Sequence, residues 1–403
     1  MRVRLQTNHG EYLLEHDSAP TIGALLRLYG IPLSAVWTYR IDAQPGVGAP
    51  GHRRAVFVPA STALPGDAYD DTEIFARVTR NINLPGLLGS ETSSARLAPE
   101  ATTEWTFPTP DSGAFQTVHS QMTASECFEF VRRSVTDVLD QWPADPTSGL
   151  VVGTSGGGDS NVLLSTLMES GFFRPEQVVP VMMLGIPDWD AQVDNARELC
   201  GAHGIELNVV EESETARLAG LKELGSVKKV FKDSFPDADL EFLGTWLLRR
   251  VLSRYASERG IRFVATGANR EDIVAEHIAR VSRGLLPLPA PFREIGDVTF
   301  CYPIWKVPKK IGDGAYPAFS LENYENRNPS YSPGRSIFYY LAYWIPELLP
   351  GMDNTLLDGM SQLADKDPQP ITWDEDLRDH VCREGSTAEQ KNRWQEFLEK
   401  VES

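Results

Sequence analysis

The residues best suited to chemistry lie in one short string, residues 153–160, which reads Gly-Thr-Ser-Gly-Gly-Gly-Asp-Ser. An apolar run precedes it at 149–152 and another follows at 162–164, so a strand and then a helix are expected around it. Its glycines allow a ligand to approach the backbone closely, and a helix beginning there adds a partial positive charge. A loop of this kind suits a phosphate group. The Gly-Lys-Ser/Thr ending of the commoner phosphate loop is missing.

A second string, residues 265–276, reads Ala-Thr-Gly-Ala-Asn-Arg-Glu-Asp-Ile-Val-Ala-Glu and follows the predicted strand 262–266. Asp272 and Glu276 stand four residues apart, so on a helix they would point the same way. Together with Asp159 of the first string they offer the hard oxygen ligands that Mg²⁺ prefers. The alternative, which stays open at this point, is a solvated helix face that carries acidic residues near its N-terminus.

Both strings resemble motifs of one superfamily, the N-type ATP pyrophosphatases, also called PP-loop enzymes. Residues 155–160 resemble the pyrophosphate loop Ser-Gly-Gly-x-Asp-Ser. The second string resembles Thr-Gly-His-x-x-Asp-Asp-x-x-Glu of the tRNA-lysidine synthetase and tRNA 2-thiolation branch. It departs from that pattern at Ala268, which replaces the histidine, and at Glu276, which comes one place late.

The resemblance implies a site for ATP and Mg²⁺ that cleaves ATP between its α and β phosphates. The nucleotide-binding residues that it implies are Ser155, Gly156, Gly157, Gly158, Asp159, Ser160, Met182, Met183, Thr266 and Gly267. The implied catalytic residues are Asp159, Asp272, Arg249 and Lys306. The implied metal ligands are Asp159, Asp272 and Glu276.

Several of these assignments have alternatives in the sequence itself. The two methionines fit core packing as well as an adenine pocket. Arg250 is an alternative to Arg249, and both arginines also fit an exposed helix face. Lys309 and Lys310 are alternatives to Lys306. Residues 326–335 loosely resemble the Asn- and Arg-containing stretch that closes the domain in these families, which extends the resemblance over about residues 125–345.

Alternating strands and helices must position these residues. From residue 150 onward the pattern predicts strands at 150–153, 178–184, 206–210 and 262–266, with helices at 161–170, 190–203, 240–258 and 271–282. Such alternation predicts an α/β fold with a doubly wound parallel sheet, and the resemblance implies the adenine nucleotide alpha hydrolase-like version. In such sheets the ligand lies beyond the carboxyl ends of the strands.

The rest of the chain is expected to form three further regions. Residues 1–75 have the element order β-β-α-β-β of a small α+β domain that resembles the β-grasp fold, for which we expect a docking or substrate-presenting role with a partner protein. Residues 76–122 are polar and are expected to form an irregular linker to the domain at 123–345. Residues 346–403 are acidic and are expected to be helical.

Composition narrows the partners and the location. The net charge is −18, which argues against an extended basic face for tRNA and favours a small-molecule or protein acceptor. The N-terminus lacks a signal-peptide core and no apolar run spans a bilayer, so a cytoplasmic protein is expected. The four cysteines form no Cys-x-x-Cys pair, so neither a structural zinc site nor a conventional iron–sulfur site is expected.

The sequence therefore predicts an adenylating ligase or sulfurtransferase. It would activate an acceptor oxygen with ATP, release pyrophosphate, and let an amine, ammonia or a sulfur donor displace AMP. A tRNA-modifying enzyme of the thiolation or lysidine type is one alternative. The alternative from another class is a non-catalytic module that binds ATP or AMP as a regulatory ligand.

Overall fold

The computed structural model describes residues 2–7, 10–16, 19–31, 33, 36–43, 53–62, 74–78, 100–108, 117–143, 148–185, 190–236, 240–316, 337–349, 351–367, 371–375, 377–382 and 388–402. The segment 326–335, singled out above, lies outside these residues. The chain divides into two compact units, residues 1–127 with 313–331 and residues 128–312 with 332–403. Along the described part of the chain, no helix combines the length and the apolar character needed to cross a membrane.

The described residues of the first unit include a five-stranded mixed sheet and a helix. These elements are β1 (Arg2–Thr7), β2 (Gly10–Glu15), α1 (Ile22–Leu28), β3 (Val36–Ala43), β4 (Arg53–Phe57) and β5 (Ile74–Val78). The strand order is β2-β1-β5-β3-β4, with β1 and β5 parallel and every other neighbouring pair antiparallel. This strand order is that of the β-grasp arrangement, which the element order of residues 1–75 resembles; the boundaries of the domain stay a prediction. The strand β5 was not predicted from the sequence, although its residues Ile74 and Ala76 are buried in the hydrophobic core of this unit.

Two further strands lie in the stretch 76–122, which was expected to be irregular. They are β6 (Ala101–Pro108) and β7 (Thr117–Thr123), paired as an antiparallel hairpin. The expectation failed because the two strands are mostly polar and their apolar face is short: Trp105 and Met122 are buried in it. The helix α2 (Ala124–Leu139) follows.

The second unit is built on a six-stranded sheet, as the alternating pattern predicts. Its strands are β8 (Leu150–Gly153), β9 (Val178–Met183), β10 (Asn208–Val210), β11 (Phe263–Ala265), β12 (Phe292–Ile295) and β13 (Val298–Cys301). The order is β10-β9-β8-β11-β13-β12, and every neighbouring pair is parallel except β12 with β13. The doubly wound parallel sheet is confirmed; its antiparallel edge strand was not predicted.

Helices connect these strands. They are α3 (Gly158–Ser170), α4 (Val193–Ala202), α5 (Glu212–Ala219), α6 (Val227–Ser234), α7 (Leu240–Ser257), α8 (Arg270–Val281) and α9 (Lys309–Ala315). After β8 the chain moves outward to β9 and β10, and it then returns to place β11 and β13 on the other side of β8. The strand order therefore reverses between β8 and β11. The loops that leave these two strands are where a doubly wound sheet binds its ligand.

The C-terminal region packs on the same unit. It comprises α10 (Ile337–Leu348), α11 (Met352–Lys366), the hairpin β14 (Ile371–Asp374) with β15 (Asp379–Cys382), and α12 (Ala388–Glu402). The helices agree with expectation, but the hairpin was not predicted. Trp394 and Phe397 of α12 contact Trp246 of α7, with ring centroids 5.2 and 6.0 Å from that of Trp246. The region is therefore part of the core of this unit.

Candidate active site

The loop between β8 and α3 folds tightly over the first turn of the helix. Gly156 has φ +70°, and a Cβ there would lie 2.5 Å from the Gln192 carbonyl oxygen, so only glycine fits. The Ser155 amide donates to Ser160 Oγ at 2.9 Å, and the two serine hydroxyl oxygens lie 2.9 Å apart. Gly157 donates its amide to Ser155 Oγ at 3.3 Å. The two serines thus hold the loop closed.

The helix α3 begins directly at this loop. Gly157 is its N-cap, with an extended backbone and no side-chain cap hydrogen bond, and Gly158 and Asp159 open the first turn. The amide groups at the start of a helix, together with its positive end, attract negative charge. The loop and the helix start therefore form a place for a phosphate group.

The loop between β11 and α8 contacts this helix start. The Thr266 amide donates to the Cys301 carbonyl oxygen at 3.1 Å, which fixes the loop beside the end of β13. A Cβ on Gly267 would lie 3.1 Å from the carbonyl carbon and oxygen of Asp159. That distance is shorter than side chains normally allow, so glycine at 267 permits the close approach of the two motifs.

Asn269 links the two motifs by hydrogen bonds. As the N-cap of α8, its side chain accepts from the Asp272 amide at 3.2 Å, while Asp272 Oδ2 accepts from the Asn269 amide at 2.9 Å. Asn269 Nδ2 also donates to Asp159 Oδ1 at 3.3 Å. The structure therefore brings Asp159 and Asp272 to the same asparagine. Asn269 was not among the predicted site residues, although the spacing Asn-x-x-Asp is that of a capping box and could have identified it as the N-cap of a helix.

Glu276, the third predicted metal ligand, has a different partner. Its two oxygens lie 3.1 and 3.2 Å from the Arg293 guanidinium of β12. Burial alone would raise the pKa of Glu276, but the Arg293 charge and hydrogen bond hold it below its usual range. Among the described residues, no group of three His, Cys, Asp or Glu side chains could hold a metal ion. The hard oxygens of Asp159 and Asp272 fit Mg²⁺, and water or a bound phosphate would complete the coordination.

The two predicted catalytic cations, Arg249 and Lys306, make contacts elsewhere in the unit. Arg249 of α7 forms an ion pair with Asp379 of β15. Lys306 lies 3.2 Å from Asp358 of α11, at a half-exposed position with its ammonium over the Trp305 ring. The structure thus does not bring either side chain to the loop after β8. Each side chain is held by a carboxylate of the C-terminal region instead: Asp379 for Arg249 and Asp358 for Lys306.

Arg250, the alternative to Arg249, is also engaged with the C-terminal hairpin. It donates to the Arg378 carbonyl oxygen at 2.7 Å, and its guanidinium lies 4.9 Å from the centroid of the Trp246 ring. Burial lowers the pKa of Arg250. The hydrogen bonds described for Arg249 and Arg250 therefore go to the C-terminal hairpin and not to the two motifs.

Lys309 and Lys310, the alternatives to Lys306, are both buried, and Lys309 contacts both motifs. Its Nζ lies 3.0 Å from Asp159 Oδ1, and its side chain is only 5% exposed. Its backbone amide donates to both carboxylate oxygens of Glu271, at 3.1 and 2.9 Å. Burial raises the pKa of Glu271 to about 8. From the sequence, Lys309 is only an alternative to Lys306, and Glu271 has no role beyond its place in the motif.

Met182 and Met183 are both buried at the end of β9, each 3% exposed. Met183 belongs to the main hydrophobic core of the unit. The backbone beside them is also paired: the Thr154 amide donates to the Val181 carbonyl at 2.9 Å, and the Leu184 amide to the Val210 carbonyl at 2.8 Å. Packing accounts for both methionines, and their role in an adenine pocket stays a prediction.

The side chains of three cysteines are described, and all three are free and buried: Cys127, Cys200 and Cys301. Burial raises the pKa of the Cys127 and Cys200 thiols to about 11, and that of Cys301 well above its usual value. These thiols are therefore protonated at neutral pH and are poor nucleophiles and metal ligands.

No family model matches the sequence, and no curated protein matches it. Among solved structures, the fold is similar to a U34-tRNA thiolase NcsA from Methanococcus maripaludis, solved with its 4Fe–4S cluster, at 16% identity and TM-score 0.47; the match covers 70% of this chain and 90% of that one. It is also similar to an NMN synthetase from Francisella tularensis, at 15% identity and TM-score 0.37, over 63% of this chain and 100% of that one.

A third similar structure is an NH3-dependent NAD synthetase from Campylobacter jejuni, at 18% identity and TM-score 0.34, over 61% of this chain and 95% of that one. These neighbours are members of the PP-loop ATP pyrophosphatase superfamily, the one that the two sequence motifs resemble. At these sequence identities and TM-scores the likeness concerns the fold alone.

Proposed function

We propose that this protein binds ATP with Mg²⁺ beyond the carboxyl ends of β8 and β11 and transfers AMP to an acceptor oxygen, releasing pyrophosphate. The observation that carries the proposal is the contact between Gly267 and Asp159. It joins a phosphate-type loop to a helix start that bears carboxylates, at the point where the strand order of the sheet reverses.

The residues of the two loops divide the work of holding a departing pyrophosphate. The hydroxyls of Ser155 and Ser160 and the amides at the start of α3 face the charge that develops on the leaving group. Asp159 and Asp272 would hold Mg²⁺, which neutralises that charge when it is bound. Asn269 contacts both carboxylates, donating from Nδ2 to Asp159 and from its backbone amide to Asp272, and so fixes their relative position.

For the second step we favour an amine or ammonia over a sulfur donor as the nucleophile. Sulfur transfer through the protein needs a thiolate or a cluster ligand, and the three described cysteines are buried thiols with raised pKa values. The acceptor is proposed to be a carbonyl or carboxylate oxygen of a small molecule or a protein. The docking role of the β-grasp domain stays a prediction.

The test is to identify the products formed from ATP in the presence of candidate acceptors. We expect equal amounts of AMP and pyrophosphate, and a loss of about 100-fold or more in the Asp159→Ala variant, because the departing charge loses its metal ligand. Asp194→Ala is the matched control, since Asp194 stands in the first turn of α4 at an exposed position. Formation of ADP and phosphate, or full activity of Asp159→Ala, would contradict the proposal.

A non-catalytic nucleotide-binding module is the alternative that one observation favours. Ala268 stands where the resembled motif has histidine, and in the structure it packs against the hydrophobic core. The same product assay separates the two functions. Tight binding of ATP in calorimetry without pyrophosphate release, across a broad set of carboxylate and amide acceptors, would support the module and not the enzyme.

A further inference from the structure

Lys309 places a positive charge beside Asp159, one of the two carboxylates proposed above to hold Mg²⁺. Its ammonium lies 3.0 Å from Asp159 Oδ1 and is almost fully buried, while the Asp159 side chain remains about one-third exposed. A buried ammonium is stable only with a counter-charge. In the absence of a nucleotide, this pair satisfies both charges at once.

The backbone that carries Lys309 is fixed to the second motif by several contacts. Glu271 accepts from the Lys309 amide with both carboxylate oxygens. Arg270 donates from its guanidinium to the Lys306 carbonyl oxygen at 2.9 and 2.6 Å, and from its amide to the Val307 carbonyl oxygen at 3.1 Å. The segment is therefore held to the start of α8.

Arg270 is itself held in place by a buried carboxylate. Its guanidinium lies 2.7 Å from Asp353 Oδ2 of α11, and both side chains are almost fully buried. This pair keeps the backbone at residues 306–309 in position, whereas the four-carbon stem of Lys309 retains rotatable bonds. The ammonium can therefore turn while its backbone stays in place.

We propose that Lys309 is a further residue of the nucleotide site, where its ammonium neutralises Asp159 until Mg²⁺–ATP binds and then turns onto the leaving pyrophosphate. The proposal rests on the function proposed above. No bond forms or breaks in this exchange: Mg²⁺ replaces the ammonium beside Asp159, and phosphate oxygens replace Asp159 beside the ammonium. Arg270, Glu271 and Asp353 act as positioning residues for Lys309.

The proposal requires two effects of opposite sign when the ammonium is removed. Without a nucleotide, a divalent cation no longer competes with Lys309 for Asp159, so it binds more tightly. With ATP, the leaving pyrophosphate loses a cation, so it departs more slowly. A purely structural role for Lys309 predicts no tighter binding of the metal.

The experiment measures Mn²⁺ binding by electron paramagnetic resonance on the full chain without nucleotide, and pyrophosphate release with ATP. In Lys309→Met we expect Mn²⁺ to bind about tenfold more tightly or better, and pyrophosphate release to fall about tenfold or more. Lys309→Arg keeps the charge and should leave the Mn²⁺ affinity low. Lys229→Met is the control, because it removes a lysine from an exposed pair with Asp233.

The outcomes separate this proposal from the proposed function. Unchanged Mn²⁺ affinity in a folded Lys309→Met protein overturns the role of Lys309, whatever the activity of the unsubstituted enzyme. Absence of pyrophosphate release by the unsubstituted enzyme overturns the function, while the Mn²⁺ comparison still reports on the Lys309–Asp159 pair. If Lys309→Met does not fold, as judged by circular dichroism, Lys309→Gln gives the same comparison with a polar side chain.

Discussion

At the scale of single residues, Gly267 sets the distance between the two halves of the candidate site. Its missing side chain leaves room for the backbone of Asp159, and a Cβ would come within 3.1 Å of that backbone. A methyl group there has to push the loop after β11 away from the start of α3. Because both loops contribute to the same phosphate site, the separation should affect chemistry more than stability.

We therefore expect Gly267→Ala to lower pyrophosphate release by about 10- to 100-fold, since small displacements of reacting groups have effects of this size. The melting temperature should change little. Gly201→Ala is the control: Gly201 lies in α4, and nothing lies within 4 Å of its added Cβ. Unchanged activity of Gly267→Ala would mean that the Gly267–Asp159 contact has no part in positioning the substrate.

The residues of the site were partly predictable from the sequence. The phosphate-type loop and the proximity of Asp159 to Asp272 follow from the spacing of motifs on neighbouring strand ends. The choice among the lysines did not, because Lys306 and Lys309 lie in one short connection and nothing local separates them. The structure separates them through Arg270, which binds the Lys306 carbonyl oxygen, and through Asp358, which takes the Lys306 side chain. Both partners are remote in sequence.

At the scale of elements, two hairpins of the second unit meet through His380. A Cβ on Gly296, in the turn between β12 and β13, would lie 2.6 Å from His380 Nε2. On its other side the ring contacts Trp373 of β14, with centroids 5.2 Å apart. Burial lowers the pKa of His380, and the charges of Arg249 and Arg250 lower it further, against the opposing charges of Asp379 and Asp297. The folded protein therefore favours the neutral imidazole.

This contact makes stability depend on pH in the acidic range. A histidine with a pKa below its unfolded value contributes stability above about pH 6.5, and that contribution is lost as the pH falls through the folded pKa. We expect the melting temperature of the unsubstituted protein to fall more between pH 7 and pH 5 than that of His380→Gln. Calorimetry at these two pH values checks this. An equal fall in both proteins would contradict it, and circular dichroism at pH 7 controls for folding.

The same elements show which parts of the fold a sequence can reveal. The central strands are short all-apolar runs covered on both faces, as in Val178–Met183, and such runs stand out from their surroundings. The hairpins β6–β7, β12–β13 and β14–β15 do not, because they mix charged and apolar residues. Phe292–Ile295, for example, contains a buried arginine, Arg293, that forms an ion pair with Glu276 of α8. Their pairing depends on contacts that local patterns do not contain.

At the scale of the whole molecule, the acidic balance bears on the acceptor. With 56 acidic and 38 basic residues, the chain carries a net charge of −18, which repels polyanions. Binding of tRNA depends on basic contacts to phosphates and weakens steeply with salt. The overall charge therefore favours small or protein-borne acceptors.

We expect total tRNA to show no saturable binding at about micromolar concentration and about 0.15 M salt, because the net negative charge of the protein repels the tRNA phosphates. Filter binding with labelled tRNA measures this, and the control is the same assay at low salt, where weak contacts are strongest. In parallel, excess tRNA should neither stimulate nor inhibit pyrophosphate release. Saturable binding at the higher salt would point instead to a tRNA-modifying enzyme.

The buried ion pair between Arg270 and Asp353 has a consequence for how the protein matures. Arg270 adjoins the second motif, but its counter-charge lies 83 residues later, in α11. During synthesis the motif leaves the ribosome before this carboxylate exists. Until then the guanidinium has to stay in water, because burying it alone would cost about 3–5 kcal/mol. The candidate site is thus completed only near the end of translation, and a chain released early should lack a finished site.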